Sequence, residues 1–220
     1  MSLNKSKGNM YEFVTHTWNP IKGDCQHDCS YCYMKRWGKL KPVRLDEKEL
    51  KCDLGFDKFI FVGSSTDIFA NNIPNDWIDE VLFHCNSYMN HYLFQTKNVE
   101  KFLHFANSIE NEDVICTTLE TNRSYPEIMM NSPSIESRVN AMSKINWIRK
   151  FITIEPIMDF DLIPFVELIK RCEPEQVNIG ADSGGHKLQE PSKDKILMLI
   201  DELNKFTKVE NKRNIGRLLK

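Results

Sequence analysis

The chain has 220 residues, of which 41% are hydrophobic and 27% are charged, a composition that suits one globular domain with an ordinary core. Its net charge of −2 gives no overall attraction to nucleic acid or to a membrane surface, although residues 35–44 form a local basic patch. No apolar run approaches the roughly 18 residues of a membrane helix, and the polar N-terminus has no signal-peptide core, so we expect a cytoplasmic protein without membrane contact.

Short apolar runs rich in β-branched and aromatic residues alternate along the chain with longer segments of helical spacing. Because these runs are nearly continuous, they indicate strands that are buried on both faces. The predicted strands are, in chain order, Phe13–Trp18, Lys58–Gly63, His91–Thr96, Val114–Leu119, Phe151–Ile154 and Val177–Gly180. The predicted helices are one within residues 30–57, then Asn75–Met89, Val99–Ile109, Ser137–Ile148, Leu162–Cys172 and Asp194–Phe206, the last with Ser192 as its N-cap.

Strands that alternate with helices predict an α/β fold with a parallel sheet, in a single domain over residues 1–220. The core is expected to span about residues 11–206, followed by a short basic C-terminal tail. Periodicity leaves two architectures open, an open doubly wound sheet and a partial (β/α)6 barrel that resembles an incomplete TIM barrel. In both architectures the functional residues lie at the carboxyl ends of the strands.

Three cysteines follow the first predicted strand closely, in the pattern C-x3-C-x2-C. Cys25, Cys29 and Cys32 therefore lie at the edge of the sheet where chemistry is expected. Soft thiolates favour an iron–sulfur cluster or zinc, and three ligands rather than four leave one iron open to a substrate, as in a catalytic metal site. The alternative is a zinc site completed by His27 or His16, which would make the chain a binding module for nucleic acid or a protein partner.

The cysteine motif, with the aromatic Tyr31 just before its third cysteine, resembles the signature of the radical S-adenosylmethionine (SAM) superfamily. Further segments resemble a phage- and prophage-associated radical SAM family: Thr17–Pro20, Gly63–Asp67, Gln95–Lys97, Glu155–Pro156 and Gly180–Gly184. Spore photoproduct lyase, a DNA-repair member of the superfamily, is a more distant resemblance. The resemblance implies a partial (β/α)6 barrel, a [4Fe–4S] cluster on the three cysteines, and S-adenosyl-L-methionine bound at the open iron.

The resemblance also implies a reaction and its partners. A one-electron reductant of flavodoxin or ferredoxin type would drive the cleavage of SAM, and the resulting 5′-deoxyadenosyl radical would abstract hydrogen from a substrate. The resemblance to the phage-associated family makes a nucleic-acid base or a nucleotide the preferred substrate class, and peptide and small-molecule substrates stay open.

Several cofactor contacts are expected on the second and third predicted strands. Gly63, Ser64 and Ser65 stand where radical SAM enzymes usually contact the amino group of SAM. Asp67, on the same loop, is expected to bind SAM or substrate, or to cap the next segment. Lys97 ends the third strand, where a cation would pair with the carboxylate of SAM.

The later strand ends carry the remaining predicted contacts. Tyr31 belongs to the motif itself, and Thr117 and Glu120 lie where a carboxylate would suit the ribose hydroxyls of SAM. Glu155 ends the fifth strand and is expected to point into the barrel or to cap it. Asp182 ends the sixth strand and is expected to contact adenosine or substrate.

Other polar and sulfur-containing residues are assigned structural roles. Arg123, Arg138 and His186 are predicted to be solvated surface residues rather than anion ligands. Trp37 lies beside Lys35, Arg36 and Lys39, and basic residues interleaved with an aromatic ring can engage nucleic acid. A short run of charges is more often only the solvated face of a helix, so nucleic-acid contact is the alternative for this segment. The remaining cysteines are predicted to be small core residues: Cys52, Cys85, Cys116 and Cys172.

Overall fold

The computed structural model describes residues 3–220, apart from the side chain of Ala106. Within this range an eight-stranded sheet and a small two-stranded sheet are formed. Numbered in chain order, the strands are β1 (Asn4–Lys5), β2 (His16–Trp18), β3 (Ile21–Lys22), β4 (Arg44–Leu45), β5 (Phe59–Val62), β6 (His91–Gln95), β7 (Val114–Thr118), β8 (Arg149–Ile154), β9 (Gln176–Ile179) and β10 (Lys208–Asn211). The α-helices are α1 (Asn75–Asn86), α2 (Val99–Phe102), α3 (Pro126–Met129), α4 (Ile135–Ser143), α5 (Leu162–Arg171) and α6 (Lys193–Leu203).

The large sheet has the strand order β1-β2-β5-β6-β7-β8-β9-β10, while β3 and β4 pair with each other. In the large sheet β1 is antiparallel to β2, and every other neighbouring pair is parallel. The predicted α/β fold with a parallel sheet is therefore confirmed. A doubly wound sheet reverses its strand order at a switch point, whereas this order proceeds from one edge to the other in sequence. The architecture is thus the partial barrel.

The helical segments lie close to their predicted positions, but some of them are 3-10 helices rather than α-helices. Ser192 caps α6, and its Oγ accepts a hydrogen bond from the Lys195 amide at 3.4 Å, as predicted. The predicted helix Val99–Ile109 is instead the short α2 followed by a 3-10 helix, Leu103–Ser108. The segment after the cysteines likewise forms a 3-10 helix, Tyr33–Trp37. Apolar residues three apart fit both helix types, so spacing alone does not separate them.

The C-terminal residues do not form the predicted tail outside the core. β10 pairs in parallel with β9, and the 3-10 helix Arg213–Arg217 buries Ile215 in the main core. The sequence shows little sign of this strand, because KVEN contains one apolar residue and its side chains are at least partly exposed. This segment is a strand because its main chain forms hydrogen bonds with β9 at the edge of the sheet, and not because its side chains are buried.

The strands are buried on both faces, as their apolar runs predicted. One face of the sheet packs against the helices through a large cluster that includes Val62 and Phe94. The opposite, interior face presents residues such as Leu93 and Phe151, and the N-terminal segment 10–14 packs against them. The chain thus fills part of its own barrel interior with the residues that precede β2.

The structure confirms the core assignment of the scattered cysteines, since all four are buried: Cys52, Cys85, Cys116 and Cys172. Among residues 3–220, the helices fall short of the length and apolarity that a membrane span requires.

Candidate active site and metal centre

The three motif cysteines lie within residues 25–32, called the cysteine loop below. This loop follows β3 and lies close to the carboxyl ends of the parallel strands. Helix α3 and the loop that follows it hold this loop in place through main-chain hydrogen bonds. The Ser30 amide donates to the Ile128 carbonyl at 2.9 Å, and the Asn131 amide donates to the His27 carbonyl at 3.0 Å. Contacts within the chain therefore anchor the cysteine loop at both of these points.

The thiols differ in exposure, and burial raises the pKa of the two that are partly exposed. Cys29 is buried, whereas Cys25 and Cys32 are partly exposed. Burial raises the pKa of the Cys25 thiol to about 12, with a further contribution from the Asp67 carboxylate. Burial also raises the pKa of Cys32. A metal that binds these sulfurs would therefore displace their protons, as metal–thiolate sites generally do.

Lys97 joins the cysteine loop to two other predicted site residues. Its Nζ lies 3.0 Å from Cys29 Sγ and 3.1 Å from Glu120 Oε1. The Tyr31 hydroxyl accepts a hydrogen bond from Lys97 and donates one to Glu120. The Lys97 ammonium also lies 4.5 Å from the centroid of the Tyr31 ring. Four of the predicted residues thus form one contiguous group, called the Lys97 group below.

Glu120 is fully buried, and Arg138 neutralises it. Arg138 Nη1 lies 2.8 Å from Glu120 Oε2 and also donates to the Thr118 carbonyl at 2.8 Å. Burial by itself would raise the pKa of Glu120, but the Arg138 and Lys97 cations hold it at about 2. The carboxylate is therefore charged at neutral pH. Arg138 Nη2 is buried and has no hydrogen-bond partner within the described residues.

The prediction that Arg138 is a solvated surface residue is wrong, because its side chain is 1% exposed. The sequence carried a signal for this burial. Arg138 lies three residues after Ile135 and next to Val139, which places it on the apolar stripe of α4 with Met142. Its partner Glu120 is 18 residues away, so the charge pairing that permits the burial is not visible in the helix itself.

Asp67 connects the cysteine loop to the end of β6. Its Oδ2 accepts hydrogen bonds from His27 Nε2 at 2.8 Å, from Thr96 Oγ1 at 3.0 Å and from the Lys97 amide at 2.9 Å. Burial acts to raise the pKa of Asp67, but the hydrogen bond and the charge of His27 outweigh it and leave the pKa lowered. His27 is thus engaged by Asp67, and the ring of His16 contacts Thr15 Oγ1 at 2.9 Å. These contacts do not favour the alternative in which a histidine completes a zinc site.

The serines after β5 use their hydroxyls within the chain. Asn19 Oδ1 accepts from Ser64 Oγ at 3.1 Å, from Ser65 Oγ at 3.0 Å and from the Ser65 amide at 2.9 Å. Gly63 has φ +76°, and a Cβ at this position would lie 2.5 Å from Ile68 Cγ2. Glycine is therefore needed here for both conformation and space. This turn joins the ends of β2 and β5 beside the cysteine loop.

Two further predicted contacts have local partners. Thr117 Oγ1 donates to the Thr96 carbonyl at 2.7 Å, between neighbouring strands. Asp182 binds His186 Nδ1 at 2.6 Å and the Gly184 amide at 3.0 Å. Both side chains thus support the local backbone, and their predicted contacts with a cofactor stay predictions.

Glu155 lies in a second polar group, called the Glu155 group below. Its Oε2 lies 2.5 Å from Lys212 Nζ. Its Oε1 accepts hydrogen bonds from Asn9 Nδ2 at 2.6 Å, Asn214 Nδ2 at 2.8 Å and Ser183 Oγ at 3.3 Å. The group therefore connects the end of β8 to both terminal segments of the chain. No pattern in the sequence indicated Asn9, Lys212 or Asn214 as its partners.

The donor set consists of three thiols on one loop, and soft thiolates fit an iron–sulfur cluster. Among residues 3–220, no three His, Cys, Asp or Glu side chains converge as they would around one ion. A [4Fe–4S] cluster binds each thiolate at a different iron, so its ligands need not share one centre. The Lys97 ammonium beside Cys29 suits an anionic thiolate cluster, and Arg138 Nη2 offers a buried donor that the described residues leave unused. Cys25, Cys29 and Cys32 would hold the cluster.

Structures of two enzymes are similar to this chain. A cysteine-to-serine mutant of spore photoproduct lyase matches with a TM-score of 0.64 and 10% identity, over 94% of this chain and 79% of that chain. Spore photoproduct lyase complexed with dinucleoside spore photoproduct gives a TM-score of 0.64 at 10% identity, over 93% and 78% of the two chains. Methylornithine synthase (PylB) gives 0.57 at 16% identity, over 88% of this chain and 63% of that chain. Both enzymes are radical SAM enzymes, so the partial barrel is a fold shared with that class.

The sequence itself matches one family model. A family described as "Protein of unknown function (DUF5131)" matches residues 9–193, which include the cysteine loop and every strand from β2 to β9. No curated protein sequence matches the chain.

Proposed function

The chain belongs to the DUF5131 family, and from this starting point we propose that it is a radical SAM enzyme whose Cys25, Cys29 and Cys32 hold a [4Fe–4S] cluster. The observation that carries the proposal is the placement of a C-x3-C-x2-C loop against the Lys97 ammonium, 3.0 Å from Cys29 Sγ. The shared fold with two radical SAM enzymes supports it. The zinc-binding module is the less favoured candidate, because His27 is bound to Asp67.

When bound, the cluster and SAM would supply one-electron cleavage of the cofactor and hydrogen abstraction from a substrate. The chain's own residues prepare the site for this chemistry. Lys97 supplies a positive charge next to Cys29, and its ammonium is the group that would pair with the carboxylate of SAM. Glu120, held charged by Arg138, positions Lys97 and Tyr31.

The other predicted contacts with SAM follow from the resemblance and stay part of the proposal. Gly63, Ser64 and Ser65 lie on the turn beside the cysteine loop, and Asp67 fixes the backbone of Lys97. Three more residues complete the proposed cofactor contacts, although each side chain already has a hydrogen-bond partner within the chain: Thr117, Glu155 and Asp182.

The reaction needs partners that the chain does not contain. A reductant of flavodoxin or ferredoxin type would supply the electron. A nucleic-acid base or nucleotide is the proposed substrate class, and the complex of spore photoproduct lyase with dinucleoside spore photoproduct supports this choice. The association with phages also stays a prediction.

Anaerobic reconstitution tests the proposal. The purified chain is supplied with iron and sulfide, and cluster content is measured by iron analysis and electron paramagnetic resonance after reduction. SAM and dithionite are then added, and 5′-deoxyadenosine is measured by chromatography. We expect a [4Fe–4S] signal and 5′-deoxyadenosine from the wild-type chain, and neither from Cys29→Ala, because two thiolates do not hold the cluster.

Cys172→Ala is the matched control, since Cys172 is a buried cysteine next to α5 and outside the site. It should keep both the cluster and SAM cleavage. Zinc bound stoichiometrically and not exchangeable for a cluster, or a reconstituted cluster that yields no 5′-deoxyadenosine, would contradict the proposal.

A further inference from the structure

A strongly basic surface lies directly after the cysteine loop, and the proposed SAM chemistry does not use it. Residues 33–44, called the basic surface below, carry five Lys and Arg residues and no carboxylate. All five cations are exposed. The whole chain has a net charge of −2, so the remaining residues together carry −7 against the +5 of this surface. Such a concentration of positive charge attracts polyanions although the protein as a whole is acidic.

Most of these cations are not neutralised by the protein. Lys35 forms an ion pair with Asp28, with 2.7 Å between Nζ and Oδ1. The other cations of the basic surface form no ion pair with any residue in the described range 3–220: Arg36, Lys39, Lys41 and Arg44. Their charges are therefore available to an external anion.

A cavity of about 390 Å³ opens between the basic surface and the carboxyl ends of β2 and β5. Lys39, Lys41 and Arg44 line it, together with Asn19 and Ser65 from the sheet side. Glu49 also lines it, but this carboxylate is held 2.8 Å from Lys22 Nζ, which lines the same cavity. The cavity thus combines an excess of cations with neutral hydrogen-bonding groups, a set that suits phosphate oxygens.

Two aromatic side chains stand exposed on the same surface. Trp37 is 68% exposed and Tyr33 is 46% exposed. The Arg36 guanidinium carbon lies 5.2 Å from the Trp37 ring centroid and 5.5 Å from the Tyr33 ring centroid. Large aromatic rings interleaved with cations bind single-stranded nucleic acid by stacking on bases while the cations hold phosphates.

The barrel interior offers a substrate little room, which favours approach from outside. Tyr11 and Val14 of the N-terminal segment are buried against the interior face of the sheet. The Tyr11 hydroxyl donates to Gln95 Oε1 at 2.7 Å, at the carboxyl end of β6. A substrate therefore has to present its reacting group at the rim. A polymer laid along the outer surface next to the cysteine loop meets this requirement.

We propose that the basic surface docks a single nucleic-acid strand, with phosphates on Lys39, Lys41 and Arg44 and a base stacked on Trp37. The inference rests on the proposed function for its purpose, which is to bring a nucleotide to the rim beside Cys32. The binding itself needs neither the cluster nor SAM, so the two proposals fail separately.

Fluorescence anisotropy of a labelled DNA strand of about 12 nucleotides tests the docking, with the full chain both as purified and after reconstitution. Three phosphate contacts to a single strand predict a slope of about −2 for the logarithm of the binding constant against the logarithm of salt concentration. The triple variant Lys39→Gln, Lys41→Gln, Arg44→Gln should bind at least about tenfold more weakly at low salt, with a slope near zero. Its formation of 5′-deoxyadenosine without substrate should match the wild type.

The control triple Lys170→Gln, Lys193→Gln, Lys220→Gln changes net charge equally at exposed positions in the other half of the chain, and it should bind like the wild type. Trp37→Ala should weaken binding about 5- to 100-fold with the slope unchanged, because stacking is lost and phosphate contacts stay. The exposed Trp37 also provides a direct signal, since base stacking should quench its fluorescence.

Several results would overturn the inference. The first is no binding by the wild type at low salt, and the second is an equal loss in the control triple. If duplex DNA binds as tightly as the single strand, and Trp37→Ala binds the strand as tightly as the wild type does, then no base stacks on Trp37. A poly-glutamate peptide that displaces the strand at equal charge would point to an acidic protein partner instead. Strand binding without SAM cleavage would refute only the proposed function, and SAM cleavage without strand binding would refute only the docking.

Discussion

The Lys97 group and the Glu155 group both surround a carboxylate at the carboxyl ends of the strands. The two groups differ in how much hydrogen-bonding capacity remains for a ligand. Glu155 receives neutral donors from Asn9, Ser183 and Asn214 and a cation from Lys212. Its partners come from both ends of the chain, so the group connects the two terminal segments to the end of β8.

The Lys97 group and the adjacent Arg138 contain two cations and a carboxylate, and the described residues do not use all of their hydrogen-bonding capacity. Lys97 touches Cys29 as well as Glu120, and Arg138 keeps a buried donor without a partner among the described residues. A buried polar atom left unsatisfied is costly, and a functional site is where such a cost is commonly found. The difference favours the Lys97 group over the Glu155 group as the proposed ligand site, because a neighbour of Glu120 keeps a hydrogen-bond donor that the described residues do not use.

Breaking the Arg138–Glu120 pair should give the largest effect on stability. Arg138→Met leaves a fully buried carboxylate without its main cation, and removal of one partner from such a pair costs about 3–5 kcal/mol. Urea denaturation of the cluster-free chain measures the loss. Arg171→Met is the control, because its pair with Glu136 is largely exposed and should be worth less than about 1 kcal/mol. Equal losses in the two variants would contradict the role given to buried charge.

Asp113 is a buried carboxylate that forms no ion pair with a cation among residues 3–220, and its stability contribution should respond to pH in the opposite sense to that of Glu120. Burial raises the pKa of Asp113 to about 7, and its Oδ1 accepts from the Tyr92 amide at 2.8 Å. The folded state therefore holds the proton more tightly than the unfolded state does, so its stabilising contribution is complete below about pH 4 and is lost as pH rises through 7.

Asp113→Asn should consequently equal the wild type near pH 4 and exceed its stability by about 4 kcal/mol at pH 8. Unfolding free energies of both chains across this pH range provide the measurement. A difference that does not change with pH would show that the Asp113 carboxyl titrates normally.

Lys97→Met tests whether the Lys97 group serves a ligand. Loss of a residue that supports metal ligands typically costs 10- to 100-fold in metal affinity or activity, and we expect a loss of about this size in 5′-deoxyadenosine formation, with a raised KM for SAM. Lys144→Met, in an exposed pair with Glu100, should leave the rate unchanged. If iron content and rate both survive Lys97→Met, the ammonium has no role at the cluster.

Lys212→Met should have the smallest effect of the series. Glu155 keeps its neutral donors, and its side chain is 17% exposed, so water can replace part of the lost interaction. A hydrogen bond to a charged group is worth about 1.5–3 kcal/mol, and the access of water to Glu155 places this one at the lower end. Thermal unfolding should show this modest loss of stability. SAM cleavage should be retained if the Glu155 group only connects the terminal segments to β8. Complete loss of SAM cleavage in a folded Lys212→Met chain would instead place Glu155 at the cofactor.

The sequence by itself determined what depends on neighbours along the chain. Apolar runs located the strands from β2 to β9 that belong to the large sheet, Ser192 marked the start of α6, and C-x3-C-x2-C placed three thiols on one loop. Burial of the four scattered cysteines also followed from residue type alone. Each of these inferences uses spacing or a preference that operates within one element.

Only the tertiary structure decided which strand ends meet and which charges are buried. The partial barrel required the order of the whole sheet, and β10 required main-chain bonds to β9. The burial of Arg138 depends on Glu120, and the partners of Glu155 lie as far away as Asn9, 146 residues distant. An ionised side chain can be buried only where a partner offsets its loss of water, and residues so far apart in sequence become partners only when the sheet brings them together.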